Sequence, residues 1–446
     1  MGENKSQGLG IKELTSLAAG QVIGAGVVTL VGQAIGVTGR SVWLAYATAI
    51  LLGFCIIFPY IMLSSMIRVK GGNYTFVSTI LGDRWGGMYG MAFTLNMFAC
   101  GMFGLSMGTY MNAIFPFLNV KVVAVVMVTL FWIINMMGVS FMAKFQNIMS
   151  LFLFLGLGLF IVIGLFHMRP GTFDLSSPEF FTNGADGFFN AVLLLVFSCT
   201  GQSFVVAFSK EARNPKRDVP FAIIAATGII LFLYTMIAIV ASGVLPIDQV
   251  AGKPLTEVAR TLMSRPLYYA FVIGGPIMAL ATTLNSSYSV FSRPFHQMTR
   301  DGWFPGKLGQ TNKAEAPYRI LVLMYIIAVL PILLNLSIST ITSNVVLVGR
   351  IADVVAIIAV IRLPKVLPDA WENRDFRGFS RVSKPVFYVV MALCLCATLF
   401  AIVLSLRSIT TTLAVVTIVL IILFFVYATL RQKSGKVHME KSYELQ

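Results

Sequence analysis

The chain has 446 residues, 57% of them hydrophobic and 11% charged, with a mean hydropathy of +0.84. Soluble domains carry about 25% charged residues, so the composition excludes a soluble globular protein and indicates an all-α polytopic membrane protein. The formal charge of +15 does not point to nucleic acid, because the basic residues fall in short runs between apolar segments and not on one continuous face.

Residues 1–12 are polar and lead directly into a long apolar stretch without a short hydrophobic core and cleavage site. They read as a retained tail and not as a cleavable signal. Runs long enough to cross a bilayer, about 20 residues each, then recur twelve times. Their limits are 13–37, 42–66, 86–116, 119–138, 145–167, 187–208, 218–244, 267–292, 317–336, 340–362, 385–406 and 409–430, followed by a tail at 431–446.

Placing the N-terminus inside collects Lys5, Lys12, Arg68, Lys70, Arg84, Lys144, the basic residues of 210–217, 293–319 and 362–384, and those from Arg431 onward on one side. The other side keeps Arg40, Lys121, Arg169, Lys253, Arg260, Arg265 and Arg407. By the positive-inside rule both termini are expected in the cytoplasm, with the protein in the plasma membrane.

Span one contains Gly20, Gly24 and Gly26 within GQVIGAGVVTL. Glycine weakens a helix and lets a ligand approach the backbone. Broken backbone is tolerated at membrane depth only where protein or a polar cavity satisfies it. Span six carries a second interruption, the small polar block Ser198, Cys199, Thr200, Gly201, Gln202 and Ser203, flanked by Phe197 and Phe204. Such a block also suits plain helix–helix packing. Its position decides for a second broken helix, because a five-plus-five inverted repeat makes span six the counterpart of span one.

Span ten holds Arg350 and Asp353, full charges deep inside a span. Charges there are costly and functional by default. Two readings stand: an i,i+3 pair neutralising itself on one helix face, or a residue that faces or gates a binding site. The five cysteines lie in apolar segments without metal-ligand spacing, so no metal site is expected from them. An integral-membrane enzyme is disfavoured, because no H-E-x-x-H or G-x-S-x-G motif occurs and Arg350 and Asp353 are the only full charges deep inside the spans. No repeated filter supports a channel.

Four stretches together carry a resemblance: Gly20-x-x-x-Gly24-Ala25-Gly26-Val27; Gly71-Gly72-Asn73-Tyr74; Glu211 to Pro220, EARNPKRDVP; and Ser292-Arg293 with Thr299 to Pro305, TRDGWFP. In order and spacing the chain resembles the amino acid, polyamine and organocation permeases over spans one to nine. The resemblance implies the LeuT-type fold, with twelve transmembrane helices arranged as two inverted five-helix repeats, 13–167 and 187–362, plus two extra helices within 385–430. It also implies a small-molecule substrate bound between the broken helices, with the lipid bilayer as surroundings and no obligate partner subunit. Ile23, Gly24, Ala25, Gly26 and Val27 would cradle a carboxylate at the positive end of a half-helix. Carbonyls around Phe197, Ser198 and Thr200 would take the amine, with Phe197 as an aromatic gate.

Cys199, Thr200, Gly201 and Gln202 suggest a small, uncharged pocket edge, which favours a small or medium neutral L-amino acid taken up or exchanged by alternating access. The alternative is a polyamine or charged amino acid, depending on whether Asp353 or Arg350 meets it. The sequence departs from the family at Leu153, where proton-linked members have a lysine, and at Met62, where an acidic residue is usual. Thr282, Thr283, Ser286 and Ser287 supply hydroxyls for a sodium site between spans one and eight, although such hydroxyls also bond their own backbone. Asn285 either organises the break in span one or joins two helices. No cofactor is expected, and sodium or proton coupling stays open.

Overall fold

The computed structural model describes residues 8–69, 71–374, 382–439 and 443–445. Lys5, Lys70, Arg377, Arg381 and Lys441 lie outside the described residues, as do the side chains of Ala25, Arg68, Phe197 and Arg407.

The first apolar run forms two helices, α1 (Ile11–Val22) and α2 (Ala25–Thr38), interrupted at Ile23 and Gly24. At 12 and 14 residues, neither half is long enough to cross a bilayer alone. The continuous helix α3 (Val42–Met66) leads through strand β1 (Ile67–Val69) to a short helix α4 (Asn73–Leu81). A 3-10 turn joins α5 (Asp83–Thr94) to α6 (Phe98–Ile114), and α7 (Val120–Met136) and α8 (Val139–Leu165) follow.

The sixth run is broken like the first. Helix α9 (Gly184–Val196) ends in a 3-10 turn at Phe197–Cys199, the chain is extended at Thr200, and a second 3-10 segment covers Gln202–Phe208. Gly201 has φ +148°, and a Cβ there would lie 3.1 Å from the Gln21 carbonyl oxygen. Both facts make glycine the fitting residue at the break.

Beyond it run α10 (Pro215–Gly243), the short α11 (Ile247–Val250) and α12 (Leu255–Leu262), then α13 (Arg265–Val272) and α14 (Met278–Arg300) joined by a π turn. The π turn contains Pro276, whose missing N–H and bulky ring disrupt the regular helical ladder. The chain ends with α15 (Tyr318–Leu333), α16 (Ile338–Val366), α17 (Pro368–Glu372), α18 (Lys384–Ser408), α19 (Thr411–Lys433) and strand β2 (Tyr443–Leu445).

Among the described residues, eight helical stretches are long and apolar enough to cross a membrane, and α7, α9 and α15 are shorter apolar helices. The chain is nearly all helical. Its two three-residue strands pair antiparallel, Ile67 opposite Leu445 and Val69 opposite Tyr443. Hydropathy could not reveal this pairing, because it joins an interhelical loop to the far end of the chain.

Helix α10 packs along α3 and across α1, while α8 packs on α1 and α14. The periphery is apolar: Val389, Leu393 and Phe400 of α18, Ile422 and Leu423 of α19, and Leu151 and Leu155 of α8 are exposed. Rows of exposed aliphatic side chains suit contact with lipid. The polar groups turn inward.

Candidate functional site

The two helix breaks meet. Gly26, in the first turn of α2, packs on Ser198 so tightly that a Cβ on Gly26 would lie 2.2 Å from the Ser198 Cβ. Gly53 of α3 lets the same region approach from the other side, since its added Cβ would sit 3.2 Å from Thr200 Cγ2.

Protein groups satisfy the backbone freed at the first break. The Tyr234 hydroxyl donates to the Val22 carbonyl at 2.9 Å. Thr283 Oγ1 lies 2.7 Å from the Gly20 carbonyl, 2.9 Å from that of Ala279 and 3.4 Å from that of Ile23. A hydroxyl has one proton to donate, so these three oxygens share it. By contrast, Gly24 caps α2 without a side-chain hydrogen bond, and the first-turn N–H groups of a helix have no partners within it.

A cavity of about 140 Å³ opens between the breaks. Of the residues singled out in the sequence, Gly24, Gly26, Ser198, Thr200, Gly201, Ser203, Phe204, Thr283, Arg350 and Asp353 line it, as does Ser287. Ile23 and Val27 are buried beside it without lining it. Cys199 is buried, its Sγ 3.9 Å from Ser198 Oγ. Gln202 is directed away from the cavity and donates to Thr227 Oγ1 of α10 at 3.0 Å.

The hydroxyl residues of α14 divide in the same way. Thr282 bonds the Ala279 carbonyl, and Ser286 donates to the Thr282 carbonyl while accepting from Gln21 Nε2 at 2.6 Å. Asn285 joins helices: its Nδ2 donates to Gln146 Oε1 at 2.8 Å, and Asn135 Nδ2 donates to the Asn285 carbonyl at 3.1 Å.

The charged pair of α16 is both paired and at the cavity wall. Arg350 Nη1 lies 3.1 Å from Asp353 Oδ2. Arg350 Nη2 donates to Thr200 Oγ1 at 2.5 Å, and the Tyr60 hydroxyl donates to Asp353 Oδ1 at 2.6 Å. The pair therefore ties α16 to the second helix break and to α3. Despite its proximity to Asp353, Nη1 is off hydrogen-bond geometry and has no hydrogen-bond partner among the described residues.

Sequence reasoning missed the walls given by α3, α5, α6 and the 3-10 turn between the last two: Ile57, Tyr89, Phe93, Asn96 and Phe103. Asn96 carried the one available signal, a lone amide in an apolar run. Phe93, Phe204 and Phe291 pack edge to face, with ring centroids 5.4 to 6.0 Å apart. Ala207, one turn beyond Phe204, and Arg293, two residues beyond Phe291, line a larger opening of about 890 Å³ at the basic end of the bundle. All three rings line the cavity itself. At the opening, Arg293 pairs with Glu211 at 3.2 Å and lies over the Phe208 ring. Leu9 bridges there to Ala212.

The family profile described as "Amino acid permease" matches residues 9–427. A branched-chain amino acid permease of Bacillus subtilis is 24% identical over 337 residues, 70% of this chain and 71% of its own. The cadaverine/lysine antiporter of Escherichia coli K12 is 23% identical over 327 residues, 71% of this chain and 72% of its own. An uncharacterised transporter of Mycobacterium tuberculosis is 27% identical over 320 residues, 70% of each chain.

Proposed function

Because this chain belongs to the amino acid permease family, we propose that it is a secondary active carrier of small or medium neutral L-amino acids, working by alternating access. The observation that carries the neutral reading is the state of Asp353. It is the carboxylate at the cavity wall among the described residues, and both its oxygens are committed, one to Tyr60 and one facing Arg350. A cationic amine would find no uncommitted carboxylate there, and it would meet the Arg350 charge. The positive end of α2, opening into the same cavity, suits the substrate carboxylate.

In this reading the chain crosses the plasma membrane twelve times, with both termini cytoplasmic and two five-helix repeats of inverted topology placing the broken helices as counterparts. The Phe93, Phe204 and Phe291 rings are the barrier on the cytoplasmic side. Coupling to sodium is supported by the all-oxygen cluster of the Gly20, Ile23 and Ala279 carbonyls around Thr283, a donor type that suits a hard cation. Leu153, buried in α8, offers no proton-carrying group.

The test is uptake in proteoliposomes, with sodium or choline outside. Saturable uptake of neutral amino acids, stimulated by amino acid inside, is expected. Flux without saturation, or flux confined to lysine and polyamines, sinks the reading.

A further inference from the structure

We propose that the inner halves of the two broken spans, α1 and the 3-10 segment Gln202–Phe208, are clasped at both ends into one body, and that the cytoplasmic clasp between Leu9 and Ala212 makes them move together during transport. The proposal rests on the carrier reading above and deepens it.

The clasp is made of backbone. Leu9, two residues before α1, donates its N–H to the Glu211 carbonyl at 2.7 Å and accepts at its own carbonyl from the Arg213 N–H at 2.9 Å, a parallel bridge centred on Leu9 and Ala212. Arg213 Nε adds a third bond, to the Gly8 carbonyl at 2.6 Å. Leu9 and Ala212 are both buried. A tail lying loosely on the surface would leave such backbone groups to water, whereas here they are paired with each other.

Stiff connections on both sides let the clasp transmit movement. Toward span one, Glu13 Oε2 accepts from the Gly10 N–H at 2.9 Å, so the chain passes from Leu9 into α1 through a capped first turn. Toward span six, the N–H groups of Glu211 and Ala212 both donate to the Phe208 carbonyl at 3.0 Å, which ties the clasp to the end of the 3-10 segment.

The far end of the pair is closed at the cavity. A Cβ on Gly201 would lie 3.1 Å from the Gln21 carbonyl oxygen and 3.4 Å from Val22 Cγ2, and α1 packs along the 3-10 segment between the two ends. Two segments joined at both ends and packed in between shift as a unit, because packed interfaces do not deform continuously.

The neighbouring contact at the cytoplasmic end is of another kind. There Arg293 of α14 pairs with Glu211 at 3.2 Å and lies over the Phe208 ring at 3.8 Å. A partly exposed ion pair separates more readily than a buried backbone bridge, so the clasped body parts from α14 at this end before it comes apart itself.

The experiment crosslinks the clasp in the full-length protein. Neighbouring strands lie about 4.8 Å apart, inside the roughly 4.4–6.8 Å Cα spacing of a disulfide, so Leu9→Cys with Ala212→Cys can be oxidised and the bridge verified by mass spectrometry. Alanine and leucine exchange in proteoliposomes is then compared between oxidised and reduced protein. Exchange by the oxidised form is expected to stay within about twofold of the reduced form, the limit for changes that do not interact. Exchange lost on oxidation and regained with reductant means that the halves must part, and overturns the proposal.

Leu9→Pro removes the N–H that bonds Glu211 and supplies the opposite arm. Exchange is expected to fall about tenfold, the upper worth of one hydrogen bond, with calorimetric affinity for alanine within about twofold of the parent. Lowered thermal stability with an unchanged exchange rate makes the bridge purely structural and also overturns the proposal. Where Leu9→Pro fails to fold, the crosslink decides alone. A parent protein that exchanges no amino acid overturns the carrier reading as well, whereas failure of the crosslink arm leaves that reading standing.

Discussion

Gly26 and Ser198 are in direct contact across the two helix breaks, with no room for a methyl group between them: a Cβ on Gly26 would fall 2.2 Å from Ser198 Cβ and 3.2 Å from Ser198 Cα. The glycine is thus required by the neighbouring broken helix. Gly26→Ala should force α2 away from the turn after α9, at an overpacking cost of about 1–3 kcal/mol, and weaken substrate binding. Adding Ser198→Gly removes the clashing atoms and should recover much of both losses. Thermal unfolding in detergent and calorimetric binding read the pair; a Gly26→Ala protein as stable and as tight-binding as the parent contradicts the contact.

Thr283 holds the first break from the side of α14. Its hydroxyl is 2.7 Å from the Gly20 carbonyl and 3.4 Å from that of Ile23. Thr283→Val keeps the shape and removes the donor, leaving a buried carbonyl unsatisfied at a cost of about 1–3 kcal/mol. If sodium uses this oxygen cluster, any sodium dependence of uptake should vanish in the variant while sodium-free uptake persists. Sodium dependence unchanged by the substitution places the cation elsewhere.

Much of this site was legible in the sequence because glycine and small polar residues stand out in apolar runs. The structure does break the helices at Ile23–Gly24 and at Thr200–Gly201. What the pattern could not tell was direction. Cys199 and Gln202 lie in the same polar block as Ser198 and Thr200, yet one is sealed in protein and the other bonds α10; a 3-10 segment turns successive side chains to different neighbours. The i,i+3 spacing of Arg350 and Asp353 announced their pairing, but Thr200 and Tyr60, which complete it, stand 150 and 293 residues away in sequence from their partners. Phe93 and Phe291 look like any other aromatic residue of a membrane helix until the fold brings their rings to Phe204.

Those three rings make a separate prediction. Each pair is edge to face, an arrangement worth about 0.5–1.5 kcal/mol beyond burial. Phe291→Ala should thin the barrier between the cavity and the wide basic opening. Efflux from preloaded proteoliposomes without exchange substrate outside is expected to rise, while exchange itself gains less. If uncoupled efflux stays at the parent level and binding is intact, the rings are packing and not a barrier.

Tyr60 tests why the cavity holds no carboxylate for a cation. Its hydroxyl takes up Asp353 Oδ1 at 2.6 Å, and Arg350 faces the other oxygen. Tyr60→Phe removes one donor without changing shape or adding charge. Asp353 then keeps a buried oxygen without its partner, so stability should fall by about 1.5–3 kcal/mol, the worth of a hydrogen bond to a charged group. The same oxygen becomes available to a ligand. Lysine or cadaverine should therefore gain affinity in the variant relative to asparagine or alanine, shifting the selectivity toward cations although no negative charge has been added. Competition binding against one labelled neutral amino acid measures that ratio directly. A ratio that does not move, in a protein that has lost the expected stability, means the engagement of Asp353 does not govern the exclusion of cations, and the charge of Arg350 alone must do so.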